Sequence, residues 1–198
     1  PNERGIVFLI LVVQRHGQNT VVGLHVAQLG DGVLDRAVSL YMLSCAKEKG
    51  DTVFNYFSAY CFYANVKIAL RSAKTGADMN YLNRVLIPTE NADIKALATS
   101  AVAGEEALLE YLKKQDLFGC ATAAEEYEQS PALFEKYVDD RLMSIAIGCK
   151  LSTEGMDALF GYIIAVEAEN KIIHMIKTGI ATGASREAMA ERLRRIYE

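Results

Sequence analysis

From residue 33 onward the apolar positions recur every three to four residues, the period of an amphipathic α-helix. In "VLDRAVSLYMLSCAKEKG" (33–50), Leu34, Ala37, Val38, Tyr41, Met42 and Cys45 share a face, and Lys49-Gly50 closes the helix. Asp51 is expected to cap a longer segment, roughly 52–74, carrying Phe54, Phe57, Cys61, Val66, Ile68 and Leu70. Two short helices are predicted near 93–99 and 104–114, the second with Leu108, Leu109, Tyr111 and Leu112 on one side. "SPALFEKYVDDRLMSIAIG" opens with Ser130 as N-cap and Pro131 at the first helical position, a strong start signal. A last long helix is expected over about 156–178, and Ser185 starts a terminal one. "GDGVLD" (30–35) lacks the third glycine of a phosphate-binding turn and reads as a turn into the helix at 33. Earlier still, β-branched "IVFLILVV" (6–13) reads as a strand or as a buried helix, so 1–30 is an uncertain segment. The fold class is all-α.

The helical pattern also repeats. Residues 65–86, "NVKIALRSAKTGADMNYLNRVL", align without a gap on 172–193, "IIHMIKTGIATGASREAMAERL", at an offset of 107. Thr75-Gly76-Ala77 falls on Thr182-Gly183-Ala184, Leu86 on Leu193, and Asp78 on Ser185, both capping types. Upstream, at an offset of 105, Asp35-Arg36 falls on Asp140-Arg141, Gly50 on Gly155 and Phe57 on Tyr162. Each copy reads as a helix, a Gly break, a long apolar helix, a Gly turn and a capped short helix. Two units result, 31–115 and 116–198, with 1–30 as the possible end of a preceding repeat. Duplicated helical units each leave a flank to be covered, so they stack and share a core.

Composition narrows the function. The chain is 51% hydrophobic and 23% charged, which places it among globular domains rather than disordered ones. A net charge of −4 without a basic run disfavours nucleic acid. Arg192, Arg194 and Arg195 read as offsetting a helix C-terminal dipole. The eight-residue apolar run at 6–13 is shorter than the roughly 20 residues that span a bilayer. Cys45, Cys61, Cys120 and Cys149 sit singly in apolar stretches, as reduced core thiols of a cytosolic protein would.

Motifs of catalysis are missing. There is no phosphate loop and no His-Glu-x-x-His. His16, His25 and His174 are far apart, and Glu125-Glu126 and Asp139-Asp140 are adjacent, so their side chains diverge on a helix and read as solvated faces. No catalytic residue, metal ligand or cofactor is expected. The polar groups that stand out are Asn65 and Arg71 on one long helix and Glu167 and Glu169 on its counterpart. They either face water or pair between repeats; in the second case Arg71 meets an acidic residue of the neighbouring unit and fixes how the units dock.

"YFSAYCFYANVKIALRSAKTGAD", then "LNRVLIP", then "YIIAVEAENKIIHMIKTGIATGASREAMAERLRRIY" resembles the C subunit of the bacterial and archaeal V-type (A-type) ATPases, known in eukaryotes as the d subunit. Asn65 and Arg71 match the family's first helix motif, Leu86-Ile87-Pro88 its next, and Glu167, Glu169, Leu193 and Tyr197 parts of its C-terminal one. The Asn and Arg of that last motif fall here on Ile172 and His174. The resemblance implies stacked helical repeats forming part of a funnel-shaped subunit, of whose three units this chain would hold about two. It further implies a non-catalytic coupler on the cytoplasmic side of the membrane, between the proteolipid ring and the central shaft made by the D and F subunits. The alternatives are a cytosolic helical adaptor unrelated to an ATPase, and an all-α enzyme, which would need a deep polar pocket.

Overall fold

A computed structural model describes residues 31–115, 117–151 and 156–196. The ambiguous segment 1–30, Asp116 at the expected unit boundary, Gly155 and Tyr197 lie outside them. The described residues form helices α1 (Asp31–Lys47), α2 (Asp51–Thr75), α3 (Met79–Val85), α4 (Ile94–Ala103), α5 (Glu105–Lys113), α6 (Cys120–Gln129), α7 (Pro131–Ile147), α8 (Asp157–Ala181) and α9 (Arg186–Glu191). A 3₁₀ turn, Gly148–Leu151, comes after α7. No strand occurs among the described residues, so the all-α expectation holds.

Helix α2 is the axis of the fold. It packs against α1, α3, α4 and α5 on its own side and against α7 and α8 of the second half. A helix covered from so many directions loses the one-sided polarity of a surface helix. Its buried residues accordingly run all round, from Val53, Tyr56 and Phe57 through Cys61, Tyr63 and Val66 to Ala69, Leu70 and Ser72. At its N-terminal end the rings of Tyr56 and Phe57 close on Phe160 of α8, with centroids 5.1 and 5.6 Å away. Leu82, Leu97, Leu108, Leu112, Phe134 and Val138 complete one continuous core.

The boundaries obey local chemistry, with four departures from expectation. Gly50, at φ 132, is the N-cap of α2, and Asp51 sits inside the first turn, where its carboxylate still suits the helix dipole. Helix α1 already includes Gly32: a Cβ there would lie 2.8 Å from Val85 Cγ1, so glycine serves close approach to α3 rather than a turn. Helix α4 runs past the expected 99 to Ala103, and α8 runs past 178 to Ala181. Ser130 and Pro131 behave as expected, the Ser130 Oγ accepting from the Ala132 amide at 3.2 Å.

The connection from α5 to α6 is held by two tyrosines. Phe118 (φ 53) and Gly119 (φ 77) are both left-handed. Tyr63 donates its hydroxyl to the Phe118 carbonyl at 2.5 Å, and Tyr137 donates to that of Gly119 at 3.1 Å. A Cβ on Gly119 would collide with the Tyr137 hydroxyl, whereas Gly76 (φ 68) has open space around it. Gly76→Ala should therefore cost about 1 kcal/mol for the backbone conformation alone. Gly119→Ala should cost clearly more by denaturant unfolding; equal losses would mean that the tyrosine contact contributes nothing.

Candidate functional site

The deepest polar group lies on α2. Asn65 is fully buried; its Nδ2 donates to the Ile87 carbonyl and its Oδ1 accepts from the Ile87 amide, both at 2.7 Å. Leu86 and Ile87 are themselves buried, just past the end of α3, where no helix supplies backbone partners. A buried amide or carbonyl left unpaired is costly, and a side-chain carboxamide offers the donor and acceptor of a peptide in one group. The Asn65 motif and the Leu86-Ile87-Pro88 motif, 22 residues apart, are thus two sides of one contact.

Three hydrogen bonds of the turn between long and short helix recur at the offset of 107, while the glycine amides differ, Gly76 donating to the Ser72 carbonyl and Gly183 to that of Ile180. Thr75 Oγ1 donates to the Arg71 carbonyl and Thr182 Oγ1 to that of Thr178, each at 3.0 Å. The Ala77 amide reaches the Ser72 carbonyl at 3.1 Å, and that of Ala184 reaches Gly179 at 2.9 Å, around left-handed Gly76 and Gly183. Asp78 accepts from the Tyr81 amide at 2.8 Å, and Ser185 accepts from Ala188 at 3.1 Å.

Beyond the short helix the two stretches differ. The counterpart of Asn65 is Ile172, which cannot hydrogen-bond through its side chain. The chain after α9 is held from α7 instead. The Arg195 amide donates to Asp140 Oδ1 at 2.6 Å, Arg195 Nη1 to Ser144 Oγ at 3.1 Å, and Arg194 Nε to Asp139 Oδ2 at 3.1 Å. Lys171 joins Asp139 at 3.1 Å, and Lys136 meets the Glu191 carbonyl at 3.0 Å. Asp139 and Asp140 are therefore anchors, not a solvated face. Arg194 meets the C-terminal carbonyl of Arg192 as the dipole argument expects, and also reaches Asp139.

The remaining candidates are on the surface. Arg71 is exposed, and its guanidinium makes no ion pair among the described residues. An ion pair between 31–115 and 116–198 is made one turn earlier, by Lys67 of α2 and Glu135 of α7 at 2.6 Å, and another by Lys113 and Glu128 at 2.7 Å. Glu167 and Glu169 are exposed on α8. Glu167 still acts electrostatically: burial, then the nearby carboxylate, holds the Tyr56 hydroxyl above its ordinary pKa. The structure thus brings Asn65 to the second motif and leaves Arg71, Glu167 and Glu169 apart from one another's hydrogen bonds.

Between α2, α7, α8 and the C-terminal segment lies a recess of ≈ 30 Å³ lined by Tyr56, Asp139, Glu167, Lys171 and Arg194, room for about one water. Burial pushes the thiols of Cys61 and Cys120 up to about 12, so both stay protonated at neutral pH. Among the described residues no three His, Cys, Asp or Glu side chains could hold a metal ion. No described helix is long and apolar enough to cross a membrane.

Removing the Asn65 carboxamide strands two buried backbone groups. Asn65→Ala should lower stability by about 3 kcal/mol, whereas Arg71→Ala should stay within about 0.5 kcal/mol. Thermal denaturation of the pair decides the matter, and comparable melting temperatures would count against the Asn65 contact. Asp140→Ala should speed hydrogen exchange at the Arg195 amide and leave the Ile87 amide protected; an unchanged Arg195 rate would mean that the carboxylate does not hold the segment.

Comparison with known proteins gives one finding. The family model described as ATP synthase (C/AC39) subunit matches residues 28–192. No curated protein and no solved structure matches. The matched span holds Asn65, its Ile87 partner, both Gly turns and the α7 anchors, and with it the chain belongs to the ATP synthase (C/AC39) subunit family.

Proposed function

We propose that this chain is a non-catalytic rotor subunit of a V/A-type ion-translocating ATPase, lying peripherally on the cytoplasmic face of the membrane. In this reading it couples the central shaft, made by the D and F subunits, to the membrane proteolipid ring. The family match over residues 28–192 carries the proposal. Physical support comes from the core. A part that transmits torque must not yield, and close-packed interiors have low compressibility. The 25-residue helix α2, packed from both halves and locked to the Ile87 segment, is such a body. We read 31–115 and 116–198 as two copies of one unit on the same grounds, supported by the hydrogen bonds shared by their turns. A helical shaft end would lie in a groove of such a stack as an amphipathic helix does.

Co-purification tests the reading. The tagged chain should retain the purified D and F pair, or the detergent-solubilised ring. Retention of neither at micromolar concentrations would replace the rotor with a free helical adaptor.

A further inference from the structure

Past α8 the chain is held to the rest of the protein at few points. From Ala181 to Ile196 the residues are exposed, apart from Met189 and Arg194, which are half-buried. Met189 lies against Gly179 of α8, where a Cβ would come within 2.6 Å of its sulfur. The attachment to α7 is polar: Lys136 to the Glu191 carbonyl, Arg194 to Asp139, the Arg195 amide to Asp140, and the Arg195 guanidinium to Ser144. Each of these bonds has a charged side chain at one end. The stretch after α3 is held differently. At the offset of 107 Leu86 falls on Leu193, yet Leu86 is 2% exposed and Leu193 41%. Where the first stretch has the buried Ile87, the second has Arg194.

Arg194 and Arg195 also line the recess between α2, α7 and α8, together with the buried Tyr56, Leu142, Met143 and Ile164. We infer that α9 and residues 192–196 form one strap, held by charge, which detaches from α7 as a unit while the core stays folded and so uncovers the apolar lining of this recess. Three features favour such opening. First, the strap buries almost no apolar surface, and parts of a protein with few such contacts open at free energies well below that of global unfolding. Second, Asp139 is not stranded when Arg194 leaves. Lys171 of α8 meets the same carboxylate at 3.1 Å and stays with the body, so the charge keeps a partner in both states. Third, the Gly183 turn between α8 and α9 has open space around it, so the strap can swing there without displacing core side chains. The inference rests on this attachment and is independent of the rotor reading.

Residue-resolved amide exchange and peroxide oxidation of the full-length chain test it. A helix as short as α9 does not persist alone in water, so its amides report release. Raising NaCl from about 0.1 to about 1 M shortens the Debye length from about 10 to about 3 Å. The amides of Met189, Leu193 and Arg195 should then exchange faster together, by at least about fivefold, while that of Ile87 stays protected. Met143, 3% exposed, should form its sulfoxide faster over the same range. Asp139→Asn should bring about both changes at the lower salt. If that substitution loosens the whole protein, the Ile87 amide will show it and the wild-type salt series decides. Exchange at Arg195 that ignores salt would overturn the inference. So would Met189 and Arg195 amides that open at unrelated rates, or a Met143 that stays protected while the strap exchanges.

Discussion

The buried backbone of Ile87 sets a condition that the helices around it must meet. After α3 the chain turns inward to place Leu86 and Ile87 in the core, and turning inward removes water from a peptide that no helix supplies with partners. Apolar packing cannot supply them. The carboxamide of Asn65 can, provided that α2 passes beside the segment at hydrogen-bond distance and in one rotational setting. That setting also fixes which residues of α2 face α4, α5 and α7. The polar contact is a small part of the buried surface, yet it specifies the register of the packing around it.

The two turns share one local solution while the contacts beyond them differ. Between long and short helix, the threonine, the alanine after the left-handed glycine and the capping residue make the same bonds in both places, because they depend only on neighbours a few residues away. Beyond the short helix α3 the chain meets a neutral, fully buried amide, and beyond α9 it meets carboxylates at the protein edge. Asp139 keeps side-chain exposure of about one-fifth, and its partner Lys171 is more exposed still. A carboxylate can serve there because water continues to solvate it, and it could not replace Asn65 in the core without a large desolvation penalty. The first lock is neutral and buried; the second is held by charge and is correspondingly sensitive to salt.

Much of this fold is legible in the sequence wherever a few neighbouring residues decide the outcome. The helical period, the Ser130-Pro131 start, the Gly76 and Gly183 stops and the Asp78 and Ser185 caps all read correctly, and so does the family. Long-range partners do not. Asn65 stands out as an unusual polar group within an apolar helix, but nothing in the chain names Ile87 as its partner 22 residues on. Asp139-Asp140 reads as a solvated pair because adjacent carboxylates diverge on a helix; in the fold that divergence lets one meet Arg194 and the other the Arg195 amide. Gly32 reads as a turn residue because close approach of α3 has no local signature. Arg71 and Lys67, one turn apart, are alike in sequence, and only the position of Glu135 separates the paired one from the exposed one.

Helices α2 and α8 differ in a way that explains how a helix as apolar as α8 can end in the open. Were the second half of α8 merely a surface helix, its outward positions would be expected to be polar, since exposed isoleucine gains nothing from folding and favours aggregation. The outward positions of α8 do not follow that pattern. Glu167, Glu169, Asn170, His174 and Lys177 are interleaved with the exposed Leu159, Tyr162, Val166, Ile173 and Ile180, leaving a band of apolar side chains rather than a uniformly apolar cylinder. The band is thus narrower than the apolar surface of α2, whose buried residues run all round the helix.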